Sequence, residues 1–110
     1  MKIDSEQVRG ATVLHASGRL DGTSTADFEK AAVEALAAAS PGRVVIDMKG
    51  VEYVSSAGLR SLLVVAKRAK GSGQPFSVAA LSPAVRDIFE ISGFGSIIPT
   101  HARVEDAIGA

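Results

Sequence analysis

The sequence predicts an α/β fold: one domain spanning residues 1–110, with a mixed, mostly parallel sheet and helices packed on it. Two observations carry this reading. The run Arg43-Val44-Val45-Ile46-Asp47 is β-branched and apolar without alternation, as expected of a strand covered on both faces. On either side of it, segments with one-sided apolar spacing alternate with short apolar runs, so strands are joined through helices. Such units cross over right-handed and build a parallel sheet.

Residues 3–8 and 12–17 read as two short strands, with Arg9-Gly10 supplying a hairpin turn that makes an antiparallel edge. The second strand runs into Gly18-Arg19-Leu20-Asp21-Gly22, where glycines on both sides of Asp21 suggest a tight exposed corner. Ser24, with Asp27 three places on, has the form of a capping box. The first helix starts there, buries Phe28, Ala31, Ala32, Ala35, Leu36 and Ala39, and ends at Ser40-Pro41-Gly42. The β-branched run is the central strand, followed by a loop from Met48 to Ser55. A second helix runs from about Ser56 to Lys70, with Leu59, Leu62, Leu63, Ala66 and Ala69 on its apolar side and Gly71 just beyond. Residues 75–80 make another strand. Ser82-Pro83 opens a third helix with Val85, Ile88, Phe89 and Ile91 on its apolar side, and Gly93 closes it. Ile97-Ile98 reads as a short last strand and residues 103–109 as a weak terminal helix. The order is β-β-α-β-α-β-α-β with a final α.

Composition narrows the function. At 110 residues and 46% hydrophobic, the chain has enough apolar material for a core without disulfides or metal. Twelve basic against twelve acidic residues give no net charge, which argues against a surface made to hold a phosphate backbone, so nucleic acid is not an expected partner. Cysteine is absent, and with it any disulfide framework, thiol nucleophile or zinc-thiolate site. The longest aliphatic run, residues 62–66, is far below the roughly 20 residues of a membrane helix. The N-terminus turns polar at once, unlike a secretion signal, so a cytoplasmic protein is expected.

The chemistry concentrates at Tyr53-Val54-Ser55-Ser56-Ala57-Gly58-Leu59. Here the strand pattern stops and the second helix begins, which makes Ser56 the expected N-cap. The free N–H groups and the positive end of the helix dipole also make this a place where a phosphate is well tolerated. Spacing alone leaves a plain cap and a charge switch both open. Enzyme motifs are missing: Val54 stands where a Gly-x-Ser-x-Gly elbow needs its first glycine, and neither a Walker loop nor Gly-x-Gly-x-x-Gly occurs. His15 and His101 lack carboxylates at ligand spacing and read as structural or exposed. No catalytic residue, cofactor or metal is expected. Nucleotide binding by the domain itself is a third possibility without a phosphate loop to support it.

Val45-Ile46-Asp47-Met48 through Tyr53-Val54-Ser55-Ser56-Ala57-Gly58-Leu59, together with Gly18-Arg19-Leu20-Asp21 and Leu81-Ser82-Pro83-Ala84-Val85 through Ser92-Gly93, resembles the STAS domain family. The likeness is strongest to free-standing bacterial anti-sigma factor antagonists and covers nearly the whole chain in order. It implies that Ser56, two places before the motif glycine, is phosphorylated by an anti-sigma factor that is also an ATP-using serine kinase. Many members carry an aspartate just before that serine; this chain has Ser55, which is a second, less favoured site. Asp21 matches the family aspartate of the Gly-x-Leu-Asp corner, although it also suits an ordinary turn. The implied partner surface comprises Asp21, Thr23, Ser24, Ser55, Ser56, Gly58 and Leu59. A metal-dependent PP2C-type serine phosphatase is a further implied partner. The alternative within the family is a regulatory subunit of a membrane transport assembly, an ABC or anion transporter.

Overall fold

The computed structural model describes residues 1–109. Its elements run β1 (Lys2–Val8), β2 (Ala11–Leu20), α1 (Thr25–Ala39), β3 (Val44–Val54), α2 (Ser56–Gly71), β4 (Phe76–Ala79), α3 (Pro83–Ser92), a 3-10 turn (Phe94–Ser96), β5 (Thr100–His101) and α4 (Val104–Ile108). The five strands lie side by side in sequence order, with β1 antiparallel to β2 and every later pair parallel. The mixed sheet and the element order match the sequence expectation, and β3 is the central strand.

Register explains the layers. Successive residues on a strand face opposite sides, so Leu14, Ile46 and Val78 meet one layer while Val13, Val45 and Ala79 meet the other. The first face carries the main core, filled by Phe28 and Leu36 of α1, Leu62 and Val65 of α2, and Val85 and Phe89 of α3. On the second face the short α4 lays Ala107 over Val13, Val45 and Ala79. Fully burying a side chain such as Phe28 or Leu62 contributes about 1.5–3 kcal/mol. The β1–β2 turn uses Arg9 at φ 49 and Gly10 at φ 82, the left-handed backbone of a tight hairpin. Ser82 caps α3 by accepting the Val85 N–H at 3.3 Å, and left-handed Gly93 (φ 78) closes that helix.

Several expectations need correction. Residues 48–54 are strand, not loop: β3 continues beside an equally extended β2, burying Met48 and Val51. The pairing there is irregular, with register shifts between His15 and Ser17 and between Gly18 and Arg19, and it contains Gly50; both features blur the alternation that would mark a strand. Ile97-Ile98 is not the last strand. Ile98 enters the core and Ile97 is exposed, while Pro99 and His101 carbonyls accept the Val78 and Ala80 N–H groups and place the strand at Thr100–His101. Ile91 is 88% exposed, not on the buried side of α3, since it sits about 120° round the helix from Val85. The remaining corrections, to the Ser24 capping box and to the start of α2, belong to the site below. Among the described residues no helix is long and apolar enough to cross a membrane.

Candidate functional site

β2 and β3 end together, with Arg19 beside Tyr53 and Leu20 beside Val54. The chain therefore leaves the sheet at neighbouring points, once into the Asp21 corner and once into α2. The Ser55 N–H donates to the Leu20 carbonyl at 2.9 Å and ties the two exits together. Sites in α/β sheets form beyond the carboxyl ends of the strands, and this is such an end.

Ser55, not Ser56, caps α2. Its backbone is extended (φ −82, ψ 175), its hydroxyl accepts the Gly58 N–H at 3.1 Å, and its carbonyl accepts the Leu59 N–H at 2.8 Å. Both serines have the right side chain for a cap, and composition could not separate them; the extended backbone at Ser55 does. Ser56 is the first helical residue. It is exposed, and its hydroxyl makes no hydrogen bond among the described residues. The N–H groups of Ser56 and Ala57 have no helical carbonyl to reach and take no acceptor outside the helix. Arg60, one turn on along the same helix face, is an exposed cation.

The Asp21 corner is held from within. Thr23 donates its hydroxyl to Asp21 Oδ1 at 2.7 Å and its N–H to the same oxygen at 3.0 Å. The Arg19 Nε lies 3.7 Å from Oδ2. The Thr23 hydroxyl first, then its N–H, with the Arg19 guanidinium adding, hold the Asp21 carboxyl below its ordinary value. Ser24 does not form a capping box with Asp27. Its hydroxyl is spent inside the corner, donating to the Arg19 carbonyl at 2.7 Å and accepting the Asp21 N–H at 3.1 Å, and the residue is buried.

The residues named from the sequence thus divide. Asp21, Thr23 and Ser56 offer exposed or part-exposed polar atoms; Ser24, Ser55 and Gly58 shape the backbone that presents them; Leu59 is half-buried against the core. One feature was missed: the Arg19 guanidinium stacks on the Tyr53 ring, 4.4 Å from its centroid. Both residues stand in the quoted motifs, and only the β2–β3 register reveals that they are neighbours. The histidines stand apart: His15 bridges Asp47 and Glu6 across β1, β2 and β3, and His101 lies on β5.

Comparison with known proteins gives this geometry its context. A family model described as Mlab, STAS domain matches residues 3–99. The chain belongs to the STAS domain family. Among the relatives of this STAS domain is BtrV of Bordetella bronchiseptica, which carries the name of an anti-sigma factor antagonist. It is 36% identical over 112 residues, covering 100% of this chain and 94% of the relative. The crystal structure of an anti-sigma factor antagonist from Mycobacterium paratuberculosis matches with a TM-score of 0.87 at 27% identity, covering 98% of this chain and 91% of that one. SpoIIAA of Bacillus, an anti-sigma factor antagonist, shares the fold in its unphosphorylated form (TM-score 0.77, 21% identity, 97% and 93% of the two chains). It does so again in its phosphorylated form (0.71, 19%, 98% and 97%).

Proposed function

We propose that this STAS domain is an anti-sigma factor antagonist whose unmodified form binds an anti-sigma factor serine kinase, freeing the sigma factor, and which phosphorylation of Ser56 switches off. The relationship to BtrV supports the antagonist role in preference to a transport-assembly subunit. The observation that carries the switch is the division of labour between two adjacent serines. Ser55 holds the helix start, so the exposed Ser56 hydroxyl can be modified without breaking a bond the fold uses.

The kinase transfers the γ-phosphoryl group of ATP to Ser56 Oγ, whose proton leaves as ADP departs. A PP2C-type phosphatase hydrolyses the ester with water, returning serine and inorganic phosphate. The modification adds roughly −1.5 to −2 charge at neutral pH. The N–H groups of Ser56 and Ala57 and the positive end of the α2 dipole can solvate that charge, so the fold persists. Docking fails instead, because an anion pressed into a protein interface loses its water without a matching cation. Arg19, Tyr53, Asp21 and Thr23 supply the adjoining contact surface. That Bacillus SpoIIAA adopts this fold with and without phosphate is consistent with a switch acting on affinity.

The test is to incubate the protein with an anti-sigma factor serine kinase from the same organism and ATP, then to locate the modification by mass spectrometry. One phosphate on Ser56 is expected. A phosphate on Ser55, or none while a known substrate is modified in the same tube, overturns the assignment.

A further inference from the structure

A second surface lies at the opposite end of the domain, where the parallel strands begin. A groove of about 440 Å³ opens there between the C-terminal half of α2 and the segment following the 3-10 turn. Its apolar lining includes Leu63, Ala66, Phe76 and Ile97, and Ile97 is 57% exposed. Lys67 and Lys70 stand on its α2 side.

The charge lining the groove is one-sided: Lys67 and Lys70 stand there and no carboxylate does. Along the sequence, no carboxylate side chain occurs between Glu52 and Asp87, the stretch that contains α2. Lys67, Arg68 and Lys70 enter no ion pair among the described residues. Cations in the last turn favour the helix dipole, which accounts for part of this pattern. The dipole does not account for an acid-free stretch of this length, or for a large aliphatic side chain left in water beside the cations.

We propose that this groove docks an acidic, amphipathic helical segment of a partner protein, with its apolar ridge on Leu63, Ala66 and Ile97 and its carboxylates on Lys67 and Lys70. Helices dock in grooves through apolar anchors spaced along one face, while charges at the rim set register and exclude wrong partners. A phosphate backbone would gain nothing from the apolar floor, and a flat bilayer would not fill a concave one. The surface is independent of the Ser56 switch. Lys67 is eleven residues along α2 from Ser56, about 16 Å at 1.5 Å per residue.

The experiment measures fluorescence anisotropy of a labelled synthetic helix with leucines on one face and glutamates on the other. Saturable binding is expected to weaken about tenfold or more in Lys67→Glu/Lys70→Gln and, separately, in Ile97→Ser. Ser56→Asp should bind the probe like wild type, so failure here and failure of the switch are read separately. These side chains are exposed, and circular dichroism melts check that the variants fold. The proposal is overturned if wild type shows no saturable binding, if the variants bind equally well, or if a glutamine-for-glutamate probe binds as tightly. Stronger binding to phosphatidylglycerol vesicles than to the probe also overturns it.

Discussion

Gly58 backs directly onto the main-chain carbonyl of Leu20, so closely that a β-carbon on Gly58 would overlap the oxygen and crowd the Leu20 and Val54 side chains. This approach brings the first turn of α2 against the end of β2, and with it Ser56 toward the Asp21 corner. Gly58→Ala is therefore expected to destabilise by about 1–3 kcal/mol, because the backbone oxygen cannot step aside as a flexible side chain could. Gly71→Ala is the control. Its β-carbon would meet nothing within 4 Å, and alanine favours the helix, so the urea midpoint should stay level or rise.

The two serines at the helix start should separate in thermal melts. Ser55→Ala removes the acceptor for the Gly58 N–H and should cost about 1 kcal/mol, whereas Ser55→Asp, another good cap, should keep wild-type stability. Ser56→Ala should leave the melting temperature unchanged. An equal loss in both alanine variants would mean that the cap is shared.

Asp21→Ala tests the corner. The Asp21 carboxylate bonds to exposed Thr23 and ties no core element, so stability should change little while binding to the anti-sigma kinase weakens. A large drop in the urea midpoint would reduce Asp21 to a turn residue.

Stability should also fall toward alkaline pH, through His15. Its Nδ1 lies 2.7 Å from Asp47 and its Nε2 2.7 Å from Glu6. The hydrogen bond to Asp47 first, then that to Glu6, raise its pKa above the ordinary value of 6.5. A folded-state pKa above the unfolded one means the proton stabilises the fold. That contribution is complete below about pH 6.5 and is lost as pH rises through the folded value, because a neutral imidazole has one N–H for two carboxylates. Urea midpoints followed with pH should show this decline in wild type and lack it in His15→Gln.

Much of this was legible in the sequence, for reasons tied to particular residues. Val44-Val45-Ile46 announced a strand buried on both faces, and Ser82-Pro83 with Gly93 marked both ends of α3, because these signals are local. The length of β3 was hidden since its outer half is held by irregular pairing with β2, which no local pattern encodes. Ser56 could be placed near a helix start, but two adjacent hydroxyls left the cap one residue out. The Arg19–Tyr53 stack and the Gly58–Leu20 approach depend on the meeting of strands distant in sequence, and so appear only in three dimensions.

The central claim is that a charge on Ser56 abolishes docking while the fold stays intact. Calorimetric titration of the anti-sigma kinase with Ser56→Asp, beside wild type of matched melting temperature, measures this directly. The account predicts tight binding for wild type and no detectable binding for the aspartate variant; equal affinity for the two would contradict it.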